Sequence, residues 1–420
     1  MQTLTRRNFI KMAATLPAVV AWPQWMPRLA FAPPHTAPRG DVLVCVFLRG
    51  AADGLNMIVP HGDDIYYAQR PTLAIPRPDD ARAGTGIRTL DLDGFFGLHP
   101  ALAPLLPIWQ AGHLAPVQAI GSPDESRSHF KAMELMERGL DRQQGPPSGW
   151  LGRHLATLDT GNHSPLRGVS IGEMVARSLR GPVPATALRS IADFHLGRDP
   201  QAIAEMQSAL ATLYSLGDPL DEVAGEAMET LAAVNALDPF SYQPGGGAVY
   251  PDDEFGLGLR QVAMLIKAEV GLEVACLDVG GWDTHIAQGG SEGLMAGLLH
   301  NLGQGLHAFY LDLAANTDQL MVLVMSEFGR RLKENGGLGT DHGHGSVMLL
   351  LGGNVTGGRI HGQWLGLAPE QLVGPGDLAV TTDYRDVLAE VISLRLNNPH
   401  LDTIFPGYNP TFRDVVRAAF

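Results

Sequence analysis

The stretch Asp41-Val42-Leu43-Val44-Cys45-Val46-Phe47-Leu48 places an unbroken Val-rich apolar run behind a single acid and ahead of Arg49-Gly50. So short a continuous run reads as a strand buried on both faces, because a half-exposed strand would alternate. Leu114–Ile120, Leu272–Val279, Leu320–Met325 and Val347–Leu351 share this character. Helical periodicity lies between them, at 129–139, 201–214, 222–236, 256–269, 293–314 and 384–396. Apolar strands alternating with helices predict an α/β fold with a mostly parallel sheet covered on both sides. The stretch 195–245 is helix-rich without strands and reads as an insertion that ends in Pro244-Gly245-Gly246-Gly247.

The chain has 420 residues, 45% of them hydrophobic, which is enough for a large core and excludes wholesale disorder. Its net charge is −14 without a basic stripe, which argues against nucleic-acid binding. Two cysteines supply neither a disulfide framework nor a Cys-based zinc site. Cys45 and Cys276 each lie in an apolar strand-like run and are expected as buried free thiols, with a mutual disulfide as the alternative.

The first 32 residues read as an export address. Arg6-Arg7, Phe9 and Lys11 precede an apolar stretch that closes on Ala30-Phe31-Ala32. Pro17, Pro23 and Gln24 interrupt it, so it does not make a stable transmembrane span of about 20 residues. The segment resembles a twin-arginine signal, which implies export in the folded state by the twin-arginine machinery to the periplasm or beyond. It carries Arg6, Arg7, Lys11 and Arg28 and no acid, so removing it takes the charge from −14 to −18. Residues 33–40 read as a Pro-rich linker, and 41–420 as one domain.

In sheets of this kind ligands bind beyond the carboxyl ends of the strands. The loops there carry Asp53-Gly54, Ser126-Arg127-Ser128-His129, Asp283-Thr284-His285 and Glu327. His342-Gly343-His344 precedes the last strand. Carboxylates mixed with imidazoles suit a divalent ion such as zinc or manganese. Asp53, Asp283, His285, Glu327, His342 and His344 are therefore the candidate metal ligands, for one ion or two. If the chain is extended at 342–344, alternation points both histidines the same way. Ser126, Arg127, Ser128 and His129 are the candidate catalytic residues. A serine at a strand-to-helix junction lies near the positive end of a helix dipole, and a metal would activate its hydroxyl. Arg127 would hold a tetrahedral anion. Plainer roles stand beside these: a turn at Asp53, a helix cap at Ser126 or Ser128, and an ion pair between Glu327 and Arg330 or Arg331. Neither a G-x-S-x-G elbow nor a nucleotide-binding glycine motif occurs in the expected context.

Several stretches also carry a family likeness. They include Asp53-Gly54-Leu55-Asn56, YAQRPTLAI at 67–75, Gly97-Leu98-His99-Pro100 and Ser126-Arg127-Ser128-His129-Phe130. Further along come Gly281-Trp282-Asp283-Thr284-His285, Ser326-Glu327-Phe328-Gly329-Arg330 and Thr381-Thr382-Asp383-Tyr384-Arg385-Asp386. The chain resembles a family of twin-arginine-exported bacterial proteins of unknown function, grouped with the alkaline phosphatase/sulfatase superfamily. The resemblance implies a three-layer α/β/α sandwich and two divalent metals. It places Ser126 or Ser128 at the nucleophile position, Asp283 with His285 as a metal pair, and His342 or His344 as its distal histidine. Phe328 departs from that pattern, standing where a second-metal histidine belongs. Neither cysteine sits in a sulfatase-type motif. The expected function is a metal-dependent hydrolase of phosphate or sulfate esters, on small molecules or polymers. The alternatives are an exported binding or assembly protein on a degenerate hydrolase fold, and a redox protein, for which no cluster or haem signature exists.

Overall fold

A computed structural model of the chain describes residues 41–191, 237 and 242–418. The segment 1–32, the linker 33–40 and most of the insertion expected at 195–245 lie outside the described residues.

Eight strands form the central sheet. In chain order they are β1 (Val42–Leu48), β2 (Leu114–Gly121), β3 (Gly168–Ile171), β4 (Thr186–Leu188), β5 (Val274–Val279), β6 (Leu320–Ser326), β7 (Ser346–Leu351) and β8 (Thr382–Asp383). Across the sheet they run β8-β2-β7-β6-β1-β5-β3-β4. Every neighbouring pair is parallel except those of β7, which runs antiparallel to both β2 and β6. The fold is thus α/β with a mostly parallel sheet, as the apolar runs predict. The reversal of β7 has a consequence for function: the loop before β7 lies at the same edge as the loops after the other strands. His342 and Asp283 therefore share one rim although one precedes a strand and the other follows one.

Strand alternation divides the core into two layers. Val42, Val44, Val46 and Leu48 of β1 pack with Val322 and Val324 of β6 on one face. Leu43, Cys45 and Phe47 pack with Met321, Leu323 and Met325 on the other. Helices α3 (Glu254–Lys267) and α4 (Leu294–Asp312) cover the first face through Leu259, Val262, Leu299 and Leu306. Helices α1 (His129–Arg138), α2 (Trp150–Thr157) and α5 (Tyr384–Leu394) cover the second through Met136, Trp150, Leu151, Val387 and Val391. Each such buried aliphatic side chain contributes about 1.5–3 kcal/mol relative to exposure. Among the described residues no helix is long and apolar enough to cross a membrane.

The helices at 254–267, 294–312 and 384–394 match the periodicity to within a few residues. Three strands and α2 do not appear in the sequence reading. β3, β4 and β8 have four, three and two residues, too few to show a period.

Candidate functional site

The site is built where four segments meet at the rim. The loop after β1 must come close to the loop after β5, and Gly50 allows it. Gly50 has φ +119°, and a Cβ there would lie 2.6 Å from the backbone N of Asp283. Gly329, after β6, lies against the loop before β7; its Cβ would meet the carbonyl oxygen of Gly345 at 1.9 Å. Arg330 then pins the loops together. Its buried guanidinium donates to the carbonyls of Gly50, Ala51, Trp282 and Thr340 and to Asp283 Oδ1, the last at 2.7 Å.

Inside this frame, ligand atoms of His129, Asp283 and His342 all fall within 4.8 Å of one another. Asp283 Oδ1 is 3.4 Å from Nε2 of His129, 3.1 Å from Nε2 of His342 and 3.1 Å from Nε2 of His285. Nε2 of His285 is also 2.9 Å from Nε2 of His342. The outer ring nitrogens settle what these atoms are. Nδ1 of His342 lies 3.0 Å from the carbonyl oxygen of Arg127, which can only accept, so Nδ1 carries the hydrogen. Nδ1 of His129 faces Glu327 Oε1 at 2.7 Å, and Nδ1 of His285 faces Asp341 Oδ1 at 3.3 Å. Each imidazole thus spends its N–H outward and turns Nε2 inward. A neutral ring then presents a lone pair to the Asp283 carboxylate. Such an array is rich in lone pairs on the side away from Arg330, and Nε2 of His129 is buried without a hydrogen-bond partner.

Electrostatics favours the same protonation pattern. Burial opposes ionisation of Asp283, but its contact with His342 and the hydrogen bond and charge of Arg330 outweigh it, holding the carboxyl at about 2. Burial, helped by Arg330 and the neighbouring histidines, lowers His342 below the ordinary histidine value despite the opposing pull of Asp283. An anionic carboxylate beside a neutral imidazole is the donor set that zinc or manganese accepts. The side chains of His129, His342 and Asp283 are 22%, 20% and 50% exposed, so the rim stays open on one side.

The other candidates are placed differently. Asp53 does not join the cluster. Its buried carboxylate is held at both oxygens by Arg70, at 2.6 and 3.0 Å, and by Gln288 at 2.7 Å. Glu327 stands behind His129 and accepts from Gly50 N and Ser326 Oγ as well, so it orients a ligand instead of adding one. Among the described residues it makes no ion pair with Arg330 or Arg331, which turn to Asp283, Asp341 and Asp377 instead. His344 turns away to the carbonyl of Ser122, 2.8 Å from its Nε2, because the chain bends at 344 and breaks the alternation. Arg127 is engaged by Asp377. Ser128 is the N-cap residue of α1, yet its side chain makes no cap bond; Ser126 Oγ accepts from Ser128 N at 3.3 Å. His129, expected beside the nucleophile, stands in the cluster with Asp283 and His342. Phe328 is buried and stacks on His129, ring centroids 5.1 Å apart.

Sequence reasoning misses Arg70, Gln288, Asp341 and the structural part of Arg330, since their partners are remote in the chain. Gln288 Oε1 accepts from Thr284 and Thr340, tying the loop after β5 to the hairpin Arg330–Glu334/Thr340–His342. A separate cleft of about 640 Å³ is lined by residues including Ser170, Arg189, Arg260 and Cys276, and by none of the cluster. Converging donor atoms mark the cluster and not this cleft.

The model of the family described as "Protein of unknown function (DUF1501)" matches residues 113–393, about two thirds of the chain. The chain belongs to that family. No curated protein matches it. Among 11 matching solved chains is the "Crystal structure of Ps i-CgsB in complex with k-i-k-neocarrahexaose". The two are 11% identical with a TM-score of 0.34, over 88% of this chain and 76% of the other.

Proposed function

We propose that this member of the DUF1501 family is an exported, metal-dependent hydrolase of phosphate or sulfate esters on an alkaline-phosphatase-like scaffold. Its address is the twin-arginine route to the periplasm or beyond, and its substrate is a small-molecule or polymeric ester. The observation that carries the reading is the inward convergence of Nε2 of His129 and His342 on Asp283 Oδ1, with each outer N–H already spent.

A zinc or manganese ion held here would supply Lewis acidity to an ester oxygen and acidify a neighbouring hydroxyl or water. The chain's own residues do the rest. His129, His342 and Asp283 would hold the ion, with Nε2 of His285 close to Asp283 and His342. Glu327, Asp341 and the Arg127 carbonyl fix the three ring tautomers. Ser128, uncommitted as a cap at the start of the ten-residue α1, offers the nucleophilic hydroxyl next to His129, and Ser126 is the alternative. The helix N-terminus favours the anion that develops there. Arg127, 36% exposed and anchored on Asp377, is available to the outgoing anion.

We read the centre as holding one ion. Arg330 already occupies one side of Asp283, and Phe328 fills the space behind His129 and His342. Those same two residues favour the second reading, a binding or assembly protein on a reduced hydrolase site. The test is metal analysis of the purified protein followed by a panel of phosphate and sulfate esters. Hydrolysis that is lost in Asp283→Asn supports the enzyme. Metal binding with no turnover on any ester supports the second reading.

A further inference from the structure

The face of the sheet opposite α3 and α4 holds a second set of ligand-type atoms, all sulfur. Cys45 of β1 and Cys276 of β5 are register partners on adjacent parallel strands, so their side chains leave the same face at the same level. Met325 of β6 is the register partner of Phe47, two residues along β1 and on that same face. Met136 descends from α1, which covers it. Both cysteines are free and buried, at 7% and 5% exposure. All four line one cavity of about 20 Å³, with Phe47 and Trp150 among its other walls.

Packing alone accounts for four apolar side chains in a core, but not for a hollow between them. Cores are close-packed, and about 10–15 Å³ already suffices for one water-sized occupant. Thiols and thioethers bind water weakly. They bind soft metal ions well, because thiolate and thioether ligands select Cu(I) over the harder divalent ions. We propose that Cys45, Cys276, Met136 and Met325 form a binding site for a soft monovalent ion, Cu(I) or its redox-inert analogue Ag(I).

Ligand softness sets the valence, and one thiolate then suffices for neutrality. The wall of the cavity already carries Arg49, Glu137 and Asp278, with Arg49 bonded to both acids. A further net charge in the core would be costly. A monovalent ion bound by one thiolate leaves the centre neutral: the metal–sulfur bond forms, one S–H bond breaks, and its proton leaves to solvent. The second cysteine contributes as a thiol and the methionines as thioethers, with no electron transferred. Cys276, Leu277 and Asp278 also line the cleft of about 640 Å³, which brings an incoming ion to the Cys276 side of the pair. This centre shares no residue with the rim cluster and selects a different class of metal.

The test is silver titration of the whole, reduced protein without oxygen, read by native mass spectrometry and by thiol alkylation. The expected product carries about one silver ion per chain and has lost one proton, with both cysteines shielded from alkylation. Cys276→Ala should lower the affinity at least a hundredfold, and Met325→Leu or Met136→Leu about tenfold. Leucine conserves volume, so weaker binding in those variants with an unchanged thermal melt reports ligation and not unfolding. Asp283→Asn should bind silver like the parent, and excess zinc should not displace it. Three results overturn the proposal: reduced, folded protein that takes up no silver, full binding in the Cys45→Ala/Cys276→Ala double variant, or displacement of silver by zinc.

Discussion

Asp53 and Asp283 look alike in the sequence, each an acid in a polar loop beyond a strand, and the fold treats them oppositely. Asp53 has a side chain with 0% exposure, closed by Arg70 on both oxygens and by Gln288. Asp283 has a side chain 50% exposed and is ringed by imidazole nitrogens whose hydrogens point elsewhere. The first environment supplies the positive charge itself. The second supplies Arg330 on one side and leaves the other electron-rich. Complementary charge makes a closed structural joint, whereas an array of lone pairs makes a receptor for a cation. Two acids of the same type at the same sheet edge thus meet opposite environments, one closed by positive charge and one left open.

Removing the charge at the closed joint should have the largest effect on stability. Arg70→Ala leaves a buried carboxylate unpaired and should cost about 3–5 kcal/mol, measured by urea unfolding. Asp283→Asn should shift the same unfolding curve by less than about 1 kcal/mol, as expected for an exposed group. Equal losses at the two sites would erase the distinction between them.

The open site should respond next, in metal affinity. Glu327→Gln keeps the shape but weakens the hold on the His129 tautomer, and should loosen zinc about 10–100-fold in a competition titration. His344→Ala should leave zinc affinity unchanged, because His344 bonds Ser122 instead of facing the cluster. A large loss in His344→Ala would return that residue to the site.

Acid should loosen the closed regions first. Burial depresses His99 to about 4 and His154 to about 3, below the ordinary 6.5. The unfolded chain therefore binds protons that the folded chain refuses once the pH falls below about 6.5. Stability from these rings is complete above that pH and declines toward pH 4 and 3, by up to about 1.4 kcal/mol per pH unit for each ring. Unfolding curves across pH 7 to 4 should show this slope, and His154→Gln should reduce it.

Much of the architecture is legible in the chain because burial on both faces leaves continuous apolar runs, as in Val42–Leu48 and Leu320–Ser326. Orientation is not: nothing in Ser346–Leu351 marks it as antiparallel, since a fully buried strand reads the same in either direction. The rim loops are legible as chemistry, and Asp283, His129 and His342 do meet. Their division of labour is not legible. Asp53 finds Arg70 17 residues away through a fold that no local pattern encodes. Glu327 and His129 are 198 residues apart, so only the assembled rim decides which of them faces the centre. Alternation places His344 with His342, and the bend at 344 separates them.

The most direct measurement is the divalent metal content of the purified protein beside that of Asp283→Asn and His342→Ala, each shown to be folded by its melt. The account predicts about one zinc or manganese ion per parent chain and none in either variant. A folded parent that holds no divalent ion and takes up none on titration contradicts it, as does a variant that keeps the full complement.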